Sequence, residues 1–150
     1  SYNYLSKVFF HPISELGGDK YAQDMYDPVL GKNAKRKAKA IELGNTKQGD
    51  GVKYKGRGFV QITGKKNYKK FTDELGLDLV NSPDLALDWN VSFDIMTIGM
   101  ERGTFTGHKL EDHINSSKKD YLNARRIING TNKKAVIKIY AEEFEKCLLS

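Results

Sequence analysis

The stretch that decides the fold of this 150-residue chain is LGNTKQGDGVKYKGRGFVQITGKKNY, from Leu43 to Tyr68. Its glycines surround one arginine and are followed by Gln61, Thr63 and Asn67 at short spacing. Glycine lacks a Cβ, so the backbone and a ligand can approach each other closely. Amide and hydroxyl groups supply the neutral donors and acceptors that suit sugar hydroxyl and N-acetyl groups. Two interpretations are open here: the floor of a polar groove that holds a sugar polymer, or a structural loop of ordinary turn residues.

Several other chemistries are excluded by spacing. The segment from Gly58 to Lys65 has the outline of a phosphate loop, but Lys66 stands where Ser or Thr is required. His108 and His113 are five residues apart, which does not match a zinc motif, so they are predicted to be surface residues. The single cysteine excludes a disulfide framework and is predicted to pack on an apolar helix face. We therefore predict neither a metal nor a cofactor.

Apolar residues at helical spacing predict a mainly α domain with glycine-rich loops and at most a small β-element. The first 30 residues are predicted to be irregular, because Gly17-Gly18 and Asp27-Pro28 are turn signals. The predicted helices run from Lys32 to Leu43, from Lys66 to Leu75, from a cap at Asp88, from Tyr121 to Ile128 with a cap at Asp120, and from a cap at Thr131 through an apolar face that ends at Leu148.

The positive charge is concentrated around the glycine-rich stretch. The chain carries a net charge of +6, and from Lys32 to Lys70 thirteen basic residues face only two acids. Such a segment attracts anionic polymers, either of a cell wall or of a nucleic acid. Charge alone does not choose between them, although the sequence has no nucleic-acid reader motif, which makes nucleic acid the weaker option. No apolar run is long enough to span a membrane and no signal peptide is visible. We expect a monomer that stays in the cytoplasm of the producing cell until it is released.

Four segments together resemble glycoside hydrolase family 19, which comprises chitinases and phage endolysins with a lysozyme-like helical fold. The stretch from Leu43 to Tyr68 resembles its signature. The segments PISELGG (12–18), NSPDLALD (81–88) and ARRIING (124–130) resemble three further family segments, in the same order. The resemblance is greatest to phage and bacterial wall-lytic enzymes. It implies one family domain over residues 1–150 that is short at its N-terminus.

The resemblance implies an inverting hydrolase of β-1,4 bonds in peptidoglycan or chitin. Inversion needs two carboxyl groups about 6.5–9.5 Å apart, one to donate a proton and one to activate water. Glu15 matches the water-activating base, and Thr63 matches the residue that helps hold the water. Arg57 matches a structural arginine that pairs with acids under the groove. The positions that match substrate contacts are Gln61, Asn67, Ile128, Asn129 and Tyr54.

The general acid of the family has no evident counterpart here. Counting back from Glu15 to its expected position reaches Leu5, preceded by Tyr4, and neither can donate the proton. A second alignment makes Glu15 itself the acid, but it places Pro12 inside a helix at a cost of about 3 kcal/mol. The first alignment is therefore preferred. The candidates for the second carboxylate are Asp19, Asp24 and Glu42. The alternative function is a protein that binds amino-sugar polymers without cleaving them.

Overall fold

The computed structural model describes residues 11–150, so Tyr4 and Leu5 lie outside the described residues. The chain divides into two compact units, the first ending at Ile95 and the second running from Met96 to Ser150. The expectation of a single family domain stays a prediction.

The first unit is built from short helices joined by glycine-rich loops. They are α1 (Gly18–Tyr26), α2 (Ala34–Glu42), α3 (Asp50–Lys53) and α4 (Lys65–Leu75), followed by a 3-10 turn (Pro83–Leu87) and by α5 (Trp89–Arg102), which begins in this unit. Helix α1 packs against α2 and α3. Tyr54, Tyr68 and Phe71 are among the largest side chains of its core. The candidate site is carried by the loop between α3 and α4.

The second unit contains the small β-element. A 3-10 turn (Leu110–Asp112) leads into the antiparallel strands β1 (Ile114–Asn115) and β2 (Lys118–Lys119), which are followed by α6 (Tyr121–Ala124), α7 (Arg126–Asn129) and α8 (Lys134–Leu149). The predicted fold class, a mainly α lysozyme-like fold with a small β-element, is confirmed. Within residues 11–150, no helix is long and apolar enough to cross a membrane.

Two of the three helix caps were predicted correctly. Asp88 accepts from the backbone N–H groups of Asn90 and Val91 at the start of α5, and Asp120 caps α6 by accepting from Asn123 N. The prediction for Thr131 is wrong. Helix α8 begins only after Lys133, whose φ is +56° and which makes no side-chain cap bond.

Other sequence predictions are wrong because they concern tertiary packing. The described part of the first 30 residues is not irregular throughout, since α1 forms there and buries Ala22. The helix predicted from Tyr121 to Ile128 divides into α6 and α7. His113 is buried rather than on the surface. Cys147 is exposed rather than packed, as is most of the apolar face of α8.

A buried carboxylate joins the end of α1 to the loop before α3. Asp27 is fully buried. Its Oδ1 accepts from Val29 N at 2.9 Å and from Leu30 N at 2.8 Å, and its Oδ2 accepts from Gly49 N at 2.7 Å. Burial by itself raises the pKa of this carboxyl group, but the backbone hydrogen bonds outweigh it, so the pKa lies below its ordinary value. The ionised carboxylate therefore stabilises the fold.

The lowered pKa predicts a loss of stability in acid. The ionised Asp27 stabilises the fold fully above the unfolded-state pKa of about 3.9. That contribution is lost as pH falls through the lower folded-state pKa. We expect Asp27→Asn to lower the free energy of unfolding at pH 7 by about 1–3 kcal/mol, because one buried backbone donor then faces an amide N–H₂ group. Urea denaturation between pH 2 and pH 7 measures both effects.

Asp78→Asn is the matched control for this carboxylate. Asp78 also has a lowered pKa, chiefly through hydrogen bonds from Asn81, but it lies on the surface. We expect its replacement to change the stability far less. Equal losses in the two variants would contradict the role given to Asp27.

Candidate active site

Backbone pairing brings the segment around Glu15 beside the loop that follows α3. Glu15 N donates to Gly56 O at 2.8 Å, and Gly58 N donates to Ile13 O at 2.9 Å. The loop is closed on itself by hydrogen bonds between Arg57 and Ile62. The segment from Phe59 to Thr63 is therefore a tight turn. The turn faces the Glu15 segment.

Three side-chain oxygens converge on Gly56. A Cβ placed on this glycine would lie 2.8 Å from Gln61 Oε1, 3.0 Å from Glu15 Oε2 and 3.2 Å from Thr63 Oγ1. The three oxygens therefore lie within about 6 Å of one another. We call this arrangement the Gly56 cluster. It brings together a carboxylate, an amide and a hydroxyl around a space that a side chain at position 56 would fill.

Gln61 is held in a strained conformation that aims its side chain. Its φ is +53°, which is uncommon for a residue other than glycine. Its Nε2 donates to Ile13 O at 2.7 Å and to Gly58 O at 3.0 Å. These two bonds fix the amide with its nitrogen on the backbone and its oxygen toward Gly56. Backbone strain that the surroundings maintain is typical of functional sites.

Thr63 and Asn67 continue the polar surface into the start of α4. Thr63 Oγ1 donates to Gln61 O at 3.0 Å, and Asn67 Nδ2 donates to Thr63 O at 2.7 Å. Both residues are half-buried. Asn67 therefore positions the Thr63 backbone, and the Thr63 oxygen stays within the Gly56 cluster as an acceptor.

Arg57 lies beneath this surface. Its side chain is buried, and Nε donates to Asp84 Oδ1 at 2.7 Å. Nη1 donates to Lys53 O at 2.9 Å and to Tyr68 Oη at 3.0 Å. Burial raises the pKa of Tyr68 to about 12 against the opposing effect of the guanidinium. Arg57 thus connects the end of α3, helix α4 and the 3-10 turn.

The position of Tyr54 contradicts its predicted contact with substrate. Its ring is 2% exposed and lies 5.5 Å from the ring of Tyr68. Its hydroxyl donates to Val80 O at 3.2 Å. The side chain belongs to the core and does not reach a ligand on the surface, so this prediction is corrected.

Tyr26 is a neighbour of Glu15 that the sequence did not indicate. Its pKa is raised to about 12, first by burial and next by the Glu15 carboxylate. The hydroxyl therefore keeps its proton at neutral pH. Its ring meets that of Tyr21 edge to face, with 6.2 Å between centroids. Nothing in the spacing along α1 distinguishes Tyr26 from an ordinary core tyrosine.

Each candidate for the second carboxylate makes an ion pair with a lysine. Asp24 pairs with Lys20, and Glu42 pairs with Lys39 at 2.7 Å. Asp19 pairs at 2.6 Å with the lysine that directly precedes Gly56 in the chain. Of the three, Asp19 has the most direct link to the Gly56 cluster.

The remaining predicted contacts belong to the second unit. Ile128 and Asn129 are the last two residues of α7, and Gly130 follows with φ +46°. Ile128 is half-buried and Asn129 is exposed. Their contact with substrate stays a prediction.

The environment of Pro12 bears on the role of Glu15. The chain from His11 to Gly17 is not helical. The helix-breaking cost that counted against Glu15 as the acid therefore does not arise. Both assignments of Glu15, as base and as acid, are compatible with the local backbone.

Comparison with known proteins identifies the family. The family model of glycoside hydrolase family 19, described as chitinase class I, matches residues 31–109, just over half of the chain. This chain belongs to glycoside hydrolase family 19. The matched range contains the loop from Gly56 to Thr63 and Asn67, but it contains neither Glu15 nor α7. The assignments of Glu15, Ile128 and Asn129 therefore do not rest on this match.

Two curated proteins are similar to parts of this family 19 chain. A glycosyl hydrolase family 19 domain-containing protein of Haemophilus influenzae is 47% identical over 62 residues, covering 35% of this chain and 31% of that protein. Chitinase 11 of Oryza sativa subsp. japonica is 62% identical over 33 residues, covering 22% of this chain and 13% of that protein. The alignments thus span less than a third of either relative.

Arg57 and its partner Asp84 should differ in their effect on stability. Arg57→Met leaves the Lys53 carbonyl and the Tyr68 hydroxyl without the donor that Arg57 supplies, so we expect a loss of about 2–4 kcal/mol. Asp84 is 80% exposed in its side chain, and we expect Asp84→Asn to cost less than about 1 kcal/mol. Urea denaturation of both variants measures the difference. Similar losses would show that the ion pair, and not the bonds to Lys53 O and Tyr68, holds the loop.

Proposed function

We propose that this chain hydrolyses β-1,4 bonds between N-acetylated amino sugars, with peptidoglycan as the preferred substrate and chitin as the second. The observation that carries the proposal is the Gly56 cluster, in which Glu15, Gln61 and Thr63 converge in a chain of family 19. Membership of the family supports hydrolysis of glycosidic bonds in general. The geometry of the Gly56 cluster supports Glu15, Gln61 and Thr63 as residues that take part in this hydrolysis.

In the proposed mechanism Glu15 is the base. Its Oε2 and the Thr63 Oγ1 both lie close enough to Gly56 for one water molecule to bridge them. Glu15 removes a proton from this water as the water oxygen attacks the anomeric carbon. The bond to the leaving oxygen breaks, and a carboxylic acid on the opposite side gives that oxygen a proton. The configuration at the anomeric carbon inverts. Asp19 and Asp24 are the candidates for the acid closest in sequence to Glu15.

In the alternative assignment Glu15 is the acid. It then protonates the leaving oxygen, and the Tyr26 hydroxyl beside it keeps its own proton at neutral pH. Hydrolysis of an activated aryl glycoside distinguishes the two assignments. Its leaving group is good enough to depart without receiving a proton from an acid. A chain that lacks the acid retains cleavage of such a substrate. A chain that lacks the base cleaves neither the activated nor the natural substrate.

The preference for peptidoglycan rests on charge. Helix α2 carries Lys35, Arg36, Lys37 and Lys39, within the segment of +11 from Lys32 to Lys70. A positive surface of this kind favours association with anionic wall polymers. We propose that the chain acts as a monomer on the cell wall after its release from the producing cell. Chitin is uncharged and gains nothing from these lysines.

Glu15→Gln tests the catalytic carboxylate. We expect hydrolysis of purified peptidoglycan, measured as loss of turbidity, to fall by at least about a hundredfold, because an amide is neither a general acid nor a base. Glu111→Gln is the matched control, since Glu111 is an exposed residue of the second unit that pairs with Lys109. It should leave the rate unchanged. Unchanged hydrolysis in Glu15→Gln would refute the role of Glu15.

The same assay decides between hydrolysis and binding alone. The binding-only alternative is motivated by Leu5 at the expected acid position. It requires that the unmodified chain bind peptidoglycan or chitin oligosaccharides without cleaving them. Turbidity loss above a buffer blank excludes it.

Gly56→Ala tests the Gly56 cluster without changing any polar group. The added methyl would lie within 3.2 Å of all three oxygens and displace them, so we expect a loss of activity of about tenfold or more. Gly76→Ala is the control. That glycine has φ +69° and open space around it, so its replacement should lower the melting temperature without lowering activity. Equal activity in the two variants would show that close approach at Gly56 is not required.

A further inference from the structure

An exposed aromatic cluster lies beside the loop that carries the Gly56 cluster. The rings of Trp89 and Phe93 stack with 5.4 Å between centroids and 5° between planes. Phe59 meets Trp89 edge to face at 6.0 Å. Trp89 is 49% exposed and Phe93 is 41% exposed. We call these three residues the aromatic platform. Grouped exposed aromatic rings are typical of a binding surface.

The platform is rigidly connected to the loop. Phe59 N donates to Ser92 Oγ at 2.8 Å, and Ser92 is buried. Ser92 also lies against Gly58, where a Cβ would come within 2.7 Å of its hydroxyl. Phe59 is two residues from Gln61. The backbone that positions the Gln61 amide therefore also positions the edge of the platform.

Polar residues flank Trp89 in the sequence, and one of them carries negative charge. Asp88 and Asn90 are exposed at the start of α5, and Asp88 Oδ1 is occupied by the cap of that helix. A carboxylate beside an aromatic ring accepts hydrogen bonds from hydroxyl groups. These properties suit a pyranose ring, which presents C–H groups on its face and hydroxyl groups at its edge.

We propose that the aromatic platform is a second sugar-binding surface, which stacks on a pyranose of the same β-1,4-linked amino-sugar chain that reaches the Gly56 cluster. This inference rests on the proposed function and extends it. A pyranose whose ring substituents are equatorial presents flat patches of C–H groups, and an indole offers the largest rigid apolar surface for them. Asp88 and Asn90 then accept hydrogen bonds from the hydroxyl groups of the sugar. The platform lengthens the bound segment of polymer beyond the bond that is cleaved.

Trp89 is the only tryptophan of the chain, so intrinsic fluorescence reports on the platform directly. The experiment uses the Glu15→Gln chain to prevent cleavage. It compares N-acetylglucosamine disaccharide with the hexasaccharide, and both with soluble peptidoglycan fragments. We expect a saturable change in tryptophan emission with the hexasaccharide and with the longer fragments, and little change with the disaccharide. Comparison of the hexasaccharide with the peptidoglycan fragments shows which source of amino sugar is preferred.

Variants of the platform should lose affinity for the long ligand. In the same background, we expect Trp89→Ala to weaken binding of the hexasaccharide, measured by calorimetry, by about threefold to tenfold. Trp89→Phe should retain part of that affinity. Phe144→Ala is the matched control, because it removes a 70% exposed aromatic ring from α8 in the second unit. Circular dichroism checks that each variant is folded, and Phe93→Ala replaces Trp89→Ala if the latter is not.

The possible outcomes separate the platform from the proposed function. If calorimetry detects binding while tryptophan emission and the affinity of Trp89→Ala stay unchanged, the platform is refuted and the hydrolase proposal stands. If the unmodified chain neither binds nor cleaves any of the saccharides, the proposed function is refuted, and the platform with it. A selective loss in Trp89→Ala together with the emission change supports the platform, and the turbidity assay with the unmodified chain decides hydrolysis separately.

Discussion

The guanidinium of Arg57 is the contact on which the geometry of the first unit depends. It joins the last residue of α3, the hydroxyl of Tyr68 on α4 and the carboxylate of Asp84. A charge buried at this depth is stable only when its donors are paired. These elements must therefore take up their positions together. The loop that contains Arg57 then has one conformation, and Glu15 is aligned against it by the backbone bond to Gly56.

Two glycines on either side of Arg57 are required for different reasons. Gly58 has φ +84° and lies against Ser92, so both its conformation and its lack of a Cβ matter. Gly56 has an ordinary backbone conformation, and only the convergence of three oxygens excludes a side chain there. Gly58 is required for the backbone conformation of the turn, and Gly56 is required for the space among the three oxygens. The proposed site is thus a property of the backbone as much as of its polar side chains.

Local signals allowed much of the fold to be predicted. Helix α4 and the caps at Asp88 and Asp120 depend on neighbouring residues, and the sequence shows them directly. The errors concern long-range packing. Tyr54 was predicted to contact a sugar, but its side chain is buried against α4 and the segment that follows α4. The Gly17-Gly18 pair reads as a turn, yet it opens α1.

The candidate site was only partly visible in the sequence for the same reason. Gln61, Thr63 and Asn67 lie within one loop and the start of one helix, so their spacing could indicate a common surface. That surface contacts the segment of Ile13 and Glu15 through a hydrogen bond between Gln61 and Ile13, which are 48 residues apart in the chain. Spacing along the chain carries no sign of it, and resemblance to a family supplied Glu15 instead. Tyr26 had neither kind of signal.

The left-handed backbone of Gln61 sets the stability of the chain against its chemistry. Glycine at this position would adopt the same φ without strain, but it would remove the amide oxygen that faces Gly56. Replacement by glycine would therefore have two opposing effects on stability. It would relieve the strain, but it would also remove the bonds that the amide donates to Ile13 O and Gly58 O. Because the first of these bonds ties the loop to the segment that carries Glu15, one strained side chain holds the two parts of the proposed site together.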